Sequence, residues 1–167
     1  MASIKNELIG SWKLLSYIEL PINGTDSLFP MGQQPDGILM YSPDGYMSVQ
    51  IAGQQRPTYT SDDWRIGSCE EHTASVSSYI SFSGTYRILE NRIVSYEIKT
   101  SLFPNWKGQT QERTFDFEGD ILYLKSVEPQ LSNGMLVHAH MTWKKNRKAE
   151  TNAEQGERTL HLQQSEG

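Results

Sequence analysis

The sequence predicts an all-β protein, an antiparallel barrel of eight to nine strands interrupted by one short helical segment around residues 61–78. Three observations carry that expectation. Turn signals recur at short intervals: Asn23-Gly24, Asp36-Gly37, Pro43-Asp44-Gly45, Glu90-Asn91, Lys107-Gly108, Gly119-Asp120 and Asn133-Gly134. Between them lie alternating or continuously apolar runs of strand length. Third, Gly10-Ser11-Trp12 opens the first such run, Leu14-Leu15-Ser16-Tyr17-Ile18. The glycine lets the chain turn tightly into the strand, and the indole offers a large apolar plate to close one barrel end. An up-and-down barrel suits eight antiparallel strands because closure removes open sheet edges.

In chain order, strands are expected near 10–20, 37–42, 45–53, 79–89, 92–102, 110–118, 121–128 and 135–145. The piece 22–29 is a candidate extra hairpin. Residues 54–78 break the meander. Ser61 precedes Asp62 and Asp63, an N-cap followed by acidic residues. A connection this long reads either as a lid across the barrel mouth or as a plug at its bottom. Residues 1–147 form one barrel domain. Residues 148–167 are polar, without an apolar face until Leu160 and Leu162, and read as a disordered tail.

A chain of 167 residues is long enough for one domain with its own core. Its net charge of −5 argues against a nucleic-acid partner and against an electrostatic membrane anchor. No apolar stretch approaches the roughly 20 residues of a membrane span, and the first residues lack the apolar core of a signal peptide. Cytoplasmic residence is the expectation. Cys69 is the single cysteine, so no intrachain disulfide forms. Glu70 and Glu71 beside it disfavour a thiolate nucleophile. No phosphate-binding glycine loop, dinucleotide fingerprint or serine nucleophile elbow is present, and no cofactor is assigned.

Candidate site residues come from the strands. His138 and His140 are two apart, so they share one strand face. A metal would need a third ligand from another strand, and no carboxylate follows until Glu150, so no metal is assigned. Two readings stay open. Either both imidazoles face solvent while Met135, Val137, Ala139, Met141 and Trp143 face in, or they line a polar lumen as acid/base groups. Glu97 presents the same choice, since it shares a face with Ser95 and Lys99 opposite Val94, Tyr96 and Ile98. Arg113 alternates with Phe115 and Phe117 and so points inward. A buried arginine needs an anion, either a carboxylate such as Glu97 or a ligand oxygen. Tyr41, Tyr46, Gln50, Trp64, Phe82, Tyr86, Tyr96 and Phe115 complete the candidate lining for an apolar molecule that carries oxygen.

Longer stretches then carry a resemblance. They are Leu8-Ile9-Gly10-Ser11-Trp12-Lys13-Leu14, Pro30-Met31-Gly32, Gly37-Ile38-Leu39-Met40-Tyr41 and Asp44-Gly45-Tyr46-Met47-Ser48-Val49, with Arg56 after them. Ser83-Gly84-Thr85-Tyr86, Ser101-Leu102-Phe103-Pro104-Asn105-Trp106, Gly108, Gln111, Arg113 and Gly119-Asp120-Ile121-Leu122 follow. Together they resemble the lipocalin-like domain family of bacterial and fungal proteins. The resemblance implies a calycin-like barrel whose lumen takes a small, mostly apolar molecule. Fungal relatives look like accessory proteins of secondary-metabolite pathways, where small barrels act as cofactor-free isomerases or cyclases. Family members tend to carry a histidine where this chain has Tyr96-Glu97, which makes Glu97 a candidate replacement base and His138 or His140 a candidate compensation. Nothing in the resemblance supports an arginine stacked on Trp12. Lys144 and Lys145, after Trp143, offer a cation–π contact instead.

The leading expectation is therefore a cofactor-independent isomerase or cyclase of secondary metabolism, acting on a polyketide- or terpenoid-type molecule. Arg113 would polarise a carbonyl, while Glu97, His138 or His140 moves a proton. The alternative is a carrier for a small hydrophobic ligand, and a third reading is a filled barrel without a cavity. A homodimer is compatible with the aromatic-rich segment 102–106.

Overall fold

The computed structural model describes residues 3–148. Ser3 caps a one-turn helix, α1 (Ile4–Leu8), through its hydroxyl. Nine strands follow: β1 (Gly10–Pro21), β2 (Asp36–Tyr41), β3 (Tyr46–Ala52), β4 (Tyr79–Leu89), β5 (Ile93–Ser101), β6 (Thr110–Glu118), β7 (Ile121–Ser126), β8 (Gln130–Ser132) and β9 (Met135–Lys145). The strands β1 to β7 pair antiparallel in chain order, β7 then pairs with β9, and β9 returns to pair with β1. This closes an eight-stranded barrel of β1–β7 and β9, with β8 as one extra strand against the upper part of β9. The eight long strands begin and end within two residues of the sequence expectation. The candidate hairpin at 22–29 reduces to a single bridge between Glu19 and Leu28. β8 was not foreseen. It is set by the Asn133-Gly134 turn, where both residues take positive φ (47° and 81°), the geometry of a two-residue hairpin loop.

Closure depends on the start of β1. Gly10 has φ +124°, and a Cβ there would meet the Lys145 ammonium at 3.0 Å. Only glycine combines that backbone with that approach. Lys145 lies over the Trp12 ring, 4.5 Å from its centroid, and its ammonium donates to the Ile9 and Glu7 carbonyls. The cation–π contact expected from the final strand is made by Lys145. Trp12 is buried, donates from Nε1 to the Leu8 carbonyl at 2.9 Å, and packs near Phe117 and the fully buried Leu8, Leu122 and Trp143. Truncating a buried ring of this kind costs about 3–5 kcal/mol. This end of the barrel is sealed.

A register shift in β1 between Leu14 and Ser16 changes which side chains face in. Trp12 and Leu14 point inward below it, Leu15 is exposed, and Tyr17 and Glu19 point inward above it. A second irregularity lies between Ser83 and Gly84 in β4. There the β5 backbone crosses so close that a Cβ on Gly84 would stand 1.9 Å from the Glu97 carbonyl oxygen.

The helical segment resolves to α2 (Cys69–Ser77). Its cap is Ser68 rather than Ser61, with a reciprocal bond between Ser68 and Glu71. That capping box satisfies two end donors at once. α2 buries no side chain and is tied to the loop before it through Arg56, Tyr59 and Thr60. The polar tail read at 148–167 lies outside the described residues from position 149 onward.

Gly84→Ala is expected to cost about 3 kcal/mol or more, because the clash is with main chain that cannot rotate away. Denaturant midpoints would measure it, and an unchanged midpoint would show that the strands do not approach this closely.

Candidate functional site

Two adjoining spaces lie at the upper end of the barrel. The inner one is a narrow lumen of about 30 Å³, walled by Leu39, Val49, Ile51, Phe82, Leu124 and Met141, with Tyr17, Tyr96, Arg113 and Gln130 as its polar members. That volume holds about two water molecules. The outer one is a groove of about 610 Å³ between the Phe103–Gln109 segment and the β7–β8 loop, with Phe103, Trp106, Pro129 and Leu131 as its apolar walls. Ligand sites run roughly 300–1,000 Å³, so the groove has a metabolite's volume and the lumen as it stands does not. Trp106, Arg113 and Gln130 line both spaces and mark their junction.

Trp106 ends a 3₁₀ turn, Pro104–Trp106, that begins on proline. Its ring stands edge-on to Phe82 at 5.9 Å and to Phe103 at 5.4 Å. It is half-buried, so an aromatic plate separates groove from lumen.

Arg113 is the electrostatic centre. It sits on β6 in the inward row Gln111, Arg113, Phe115 and is 4% exposed. It donates to the Glu112 carbonyl and to Gln111 Oε1, each at 3.0 Å. Gln130 also donates to Gln111 Oε1, at 3.2 Å. The Nε of Arg113 is buried without a partner. The guanidinium lies over the Tyr96 ring at 5.9 Å. Burial pulls its pKa down, opposed by its interactions with Tyr96, Tyr17 and Tyr41. An arginine in a protein does not lose its proton, so the charge stays.

Three phenols surround it. Tyr41 and Tyr96 share a short hydroxyl–hydroxyl bond. Burial pushes Tyr41 and Tyr96 above the ordinary phenol range, and burial, then the Glu19 carboxylate, push Tyr17 up. Tyr17 donates to Glu19 Oε2 at 3.5 Å, and Ser132 donates to Glu19 Oε1 at 2.6 Å. Glu19 is thus an inward, buried carboxylate on the mouth side of β1.

The sequence-derived candidates divide sharply. Arg113, Phe82 and Tyr96 line the lumen. Tyr41, Tyr86 and Phe115 are buried in the core beside it, Tyr86 donating to the Ser42 carbonyl. Glu97 is on the outer wall, its side chain 58% exposed and paired with Lys99 at 2.6 Å. That pairing, then Arg87, holds its carboxyl below the usual range. His138 and His140 are also on the outer face, because Val137, Ala139, Met141 and Trp143 take the inward positions of β9. His138 Nδ1 lies 3.0 Å from the Ser126 carbonyl oxygen, and burial, then Lys125, lower the His140 pKa. Tyr46 and Trp64 are exposed, the latter under Arg65. Gln50 is on the outer face of β3, accepting from Tyr79. None of these six lines the lumen or the groove. Glu97, His138 and His140 therefore do not face the lumen or the groove. Among the described residues, no group of three His, Cys, Asp or Glu side chains is placed to hold a metal ion. No helix among them is long and apolar enough to cross a membrane.

Sequence reading missed Tyr17, Glu19, Trp106 and Gln130. Simple alternation from Trp12 puts Tyr17 and Glu19 outside, and only the β1 register shift turns them in. The other two stand where backbone irregularity, not periodicity, sets direction.

This geometry agrees with the comparison to known proteins, in which residues 9–146 match the family model for a lipocalin-like domain. The chain belongs to the lipocalin-like domain family. One similar protein is the 4'-hydroxy-3'-methoxypropiophenone carrier protein ppsC of Aspergillus oryzae. It is 33% identical over 106 residues, which cover 59% of this chain and 96% of the relative.

In this lipocalin-like barrel, Arg113→Met should leave the thermal midpoint unchanged or raise it. A buried charge without an opposite charge is costly, and apolar replacements of buried ions are often neutral or stabilising. A drop of several degrees in a melting scan would show that the guanidinium is a structural tie.

Proposed function

We propose that this lipocalin-like barrel is a carrier for a small, largely apolar, oxygen-bearing molecule of secondary metabolism. The ligand sits in the groove with its polar end at Arg113. The observation that carries this reading is the placement of one buried cation with an unpartnered donor at the junction of groove and lumen. Apolar walls and a few convergent polar groups are the ordinary make-up of a small-molecule site. The similarity to a protein named as the carrier of a phenolic ketone supports the same class of cargo.

The isomerase or cyclase reading has weaker support. Its three assigned proton carriers stand on the outer wall. The Tyr17–Glu19 pair is an acid/base pair that remains inside; Tyr17 lines the lumen, while Glu19 is outside its lining and is held by Tyr17 and Ser132. Holding a molecule needs none of these groups to titrate.

Titration with 4'-hydroxy-3'-methoxypropiophenone, followed by Trp fluorescence, tests the proposal. Saturable quenching is expected, and it should disappear in Trp106→Phe while binding by calorimetry remains. Ligand recovered unchanged after long incubation identifies a carrier. A recovered isomer or cyclised product would restore the enzyme reading, and absence of binding by both methods would sink the carrier.

A further inference from the structure

We propose that the site takes its ligand as an oxyanion, with a weakly acidic oxygen held as its conjugate base against Arg113. This rests on the carrier reading and adds the ionisation state and chemical class of the cargo, a phenol or other molecule of similar acidity.

The argument begins with an uncompensated charge. Arg113 is 4% exposed, and both acceptors it reaches, the Glu112 carbonyl and the Gln111 side-chain oxygen, are neutral. Its Nε has no partner. The ion pairs Arg92–Asp116 and Lys99–Glu97 are both on the outer wall. Among the described residues no carboxylate pairs with the Arg113 guanidinium. Natural interiors do not keep a buried cation in this state without a counter-charge or a function.

The groups facing it cannot supply the anion. β1 contributes Tyr17, β2 Tyr41 and β5 Tyr96, and burial keeps all three phenols protonated. β6 and β8 contribute the neutral Gln111 and Gln130. β7 and β9 contribute Leu124, Ala139 and Met141. Glu19, the buried carboxylate, is engaged by Ser132 and Tyr17, and the carboxylates of Glu112 and Glu128 line the outer groove without pairing with the guanidinium.

A neutral carbonyl arriving from the groove would satisfy one donor. An oxyanion would satisfy the donor and the charge together, and charge-assisted bonds are roughly twice as strong as neutral ones. Because the surroundings are apolar, the attraction is also less attenuated than in water. A ligand with an acidic oxygen therefore sheds its proton on binding: the O–H bond breaks with its electron pair left on the oxygen, the buffer base takes the proton, and no other covalent bond changes.

The experiment compares 4'-hydroxyacetophenone with its methyl ether, 4'-methoxyacetophenone, on the whole protein. The bound phenol's apparent pKa should fall by at least about one unit, a tenfold preference worth about 1.4 kcal/mol. At a pH between the bound and the free pKa, difference absorption should show the red-shifted phenolate band on binding, with release of up to one proton per site. Affinity for the phenol should rise with pH between the bound and the free pKa, about tenfold in all for a one-unit shift, and level off above, while the ether stays flat. Arg113→Gln should abolish the band and the slope yet still bind the ether. The wild-type comparison of the two probes decides the matter even if that variant does not fold. If both probes bind with flat pH profiles and no phenolate band, the oxyanion proposal is overturned and the carrier reading stands. If neither binds, the carrier reading falls and takes this proposal with it.

Discussion

The seam between β1 and β9 runs from Trp12 opposite Lys145 to Pro21 opposite Val137, and it turns a meander into a closed wall. An open sheet of these strands would leave two edges and no inside. Closure puts Trp12, Trp143 and Leu8 into one buried cluster and fixes the tilt that brings β6 opposite β1. The seam needs a chain start that leaves room for Lys145, which is why Gly10 stands there with a backbone that other residues rarely adopt. A Cβ at that position would crowd the end of the Lys145 side chain at about 3.0 Å, where it lies over the Trp12 ring.

The apolar wall makes Arg113 meaningful. In water a guanidinium is one solvated cation among many. Inside this barrel it is held by its own strand neighbours, Gln111 and Glu112, rather than by an opposite charge. The fold therefore carries an unfavourable element that its hydrophobic cluster must offset. Sites that bind or react often keep such locally destabilising groups.

The barrel was legible in the sequence because turn chemistry and alternation are local signals. Strands β4, β6 and β9 were readable almost to the residue, and the inward direction of Arg113 followed from its alternation with Phe115 and Phe117. The site was only partly legible. Alternation on β5 and β9 gives two opposite faces without saying which is inside, so the sequence leaves Glu97, His138 and His140 open between lumen and solvent, and the structure places them on the outer wall. On β1 the pattern itself breaks at the register shift, which hid Tyr17 and Glu19. Trp64 and Tyr46 drew attention by residue type alone, and nothing local distinguishes an exposed aromatic from a buried one.

The sealed end has a consequence for traffic. With Trp12, Phe117 and Trp143 filling the bottom, the groove among the described residues that reaches Arg113 runs beside Trp106 and Leu131, and a cargo of the proposed carrier would enter there. Under that proposal, loading and unloading would use the same route in opposite directions. A donor or acceptor of the cargo gains nothing by approaching the wall that carries His138 and Glu97. Hand-over has to occur at the rim, where the vessel faces out.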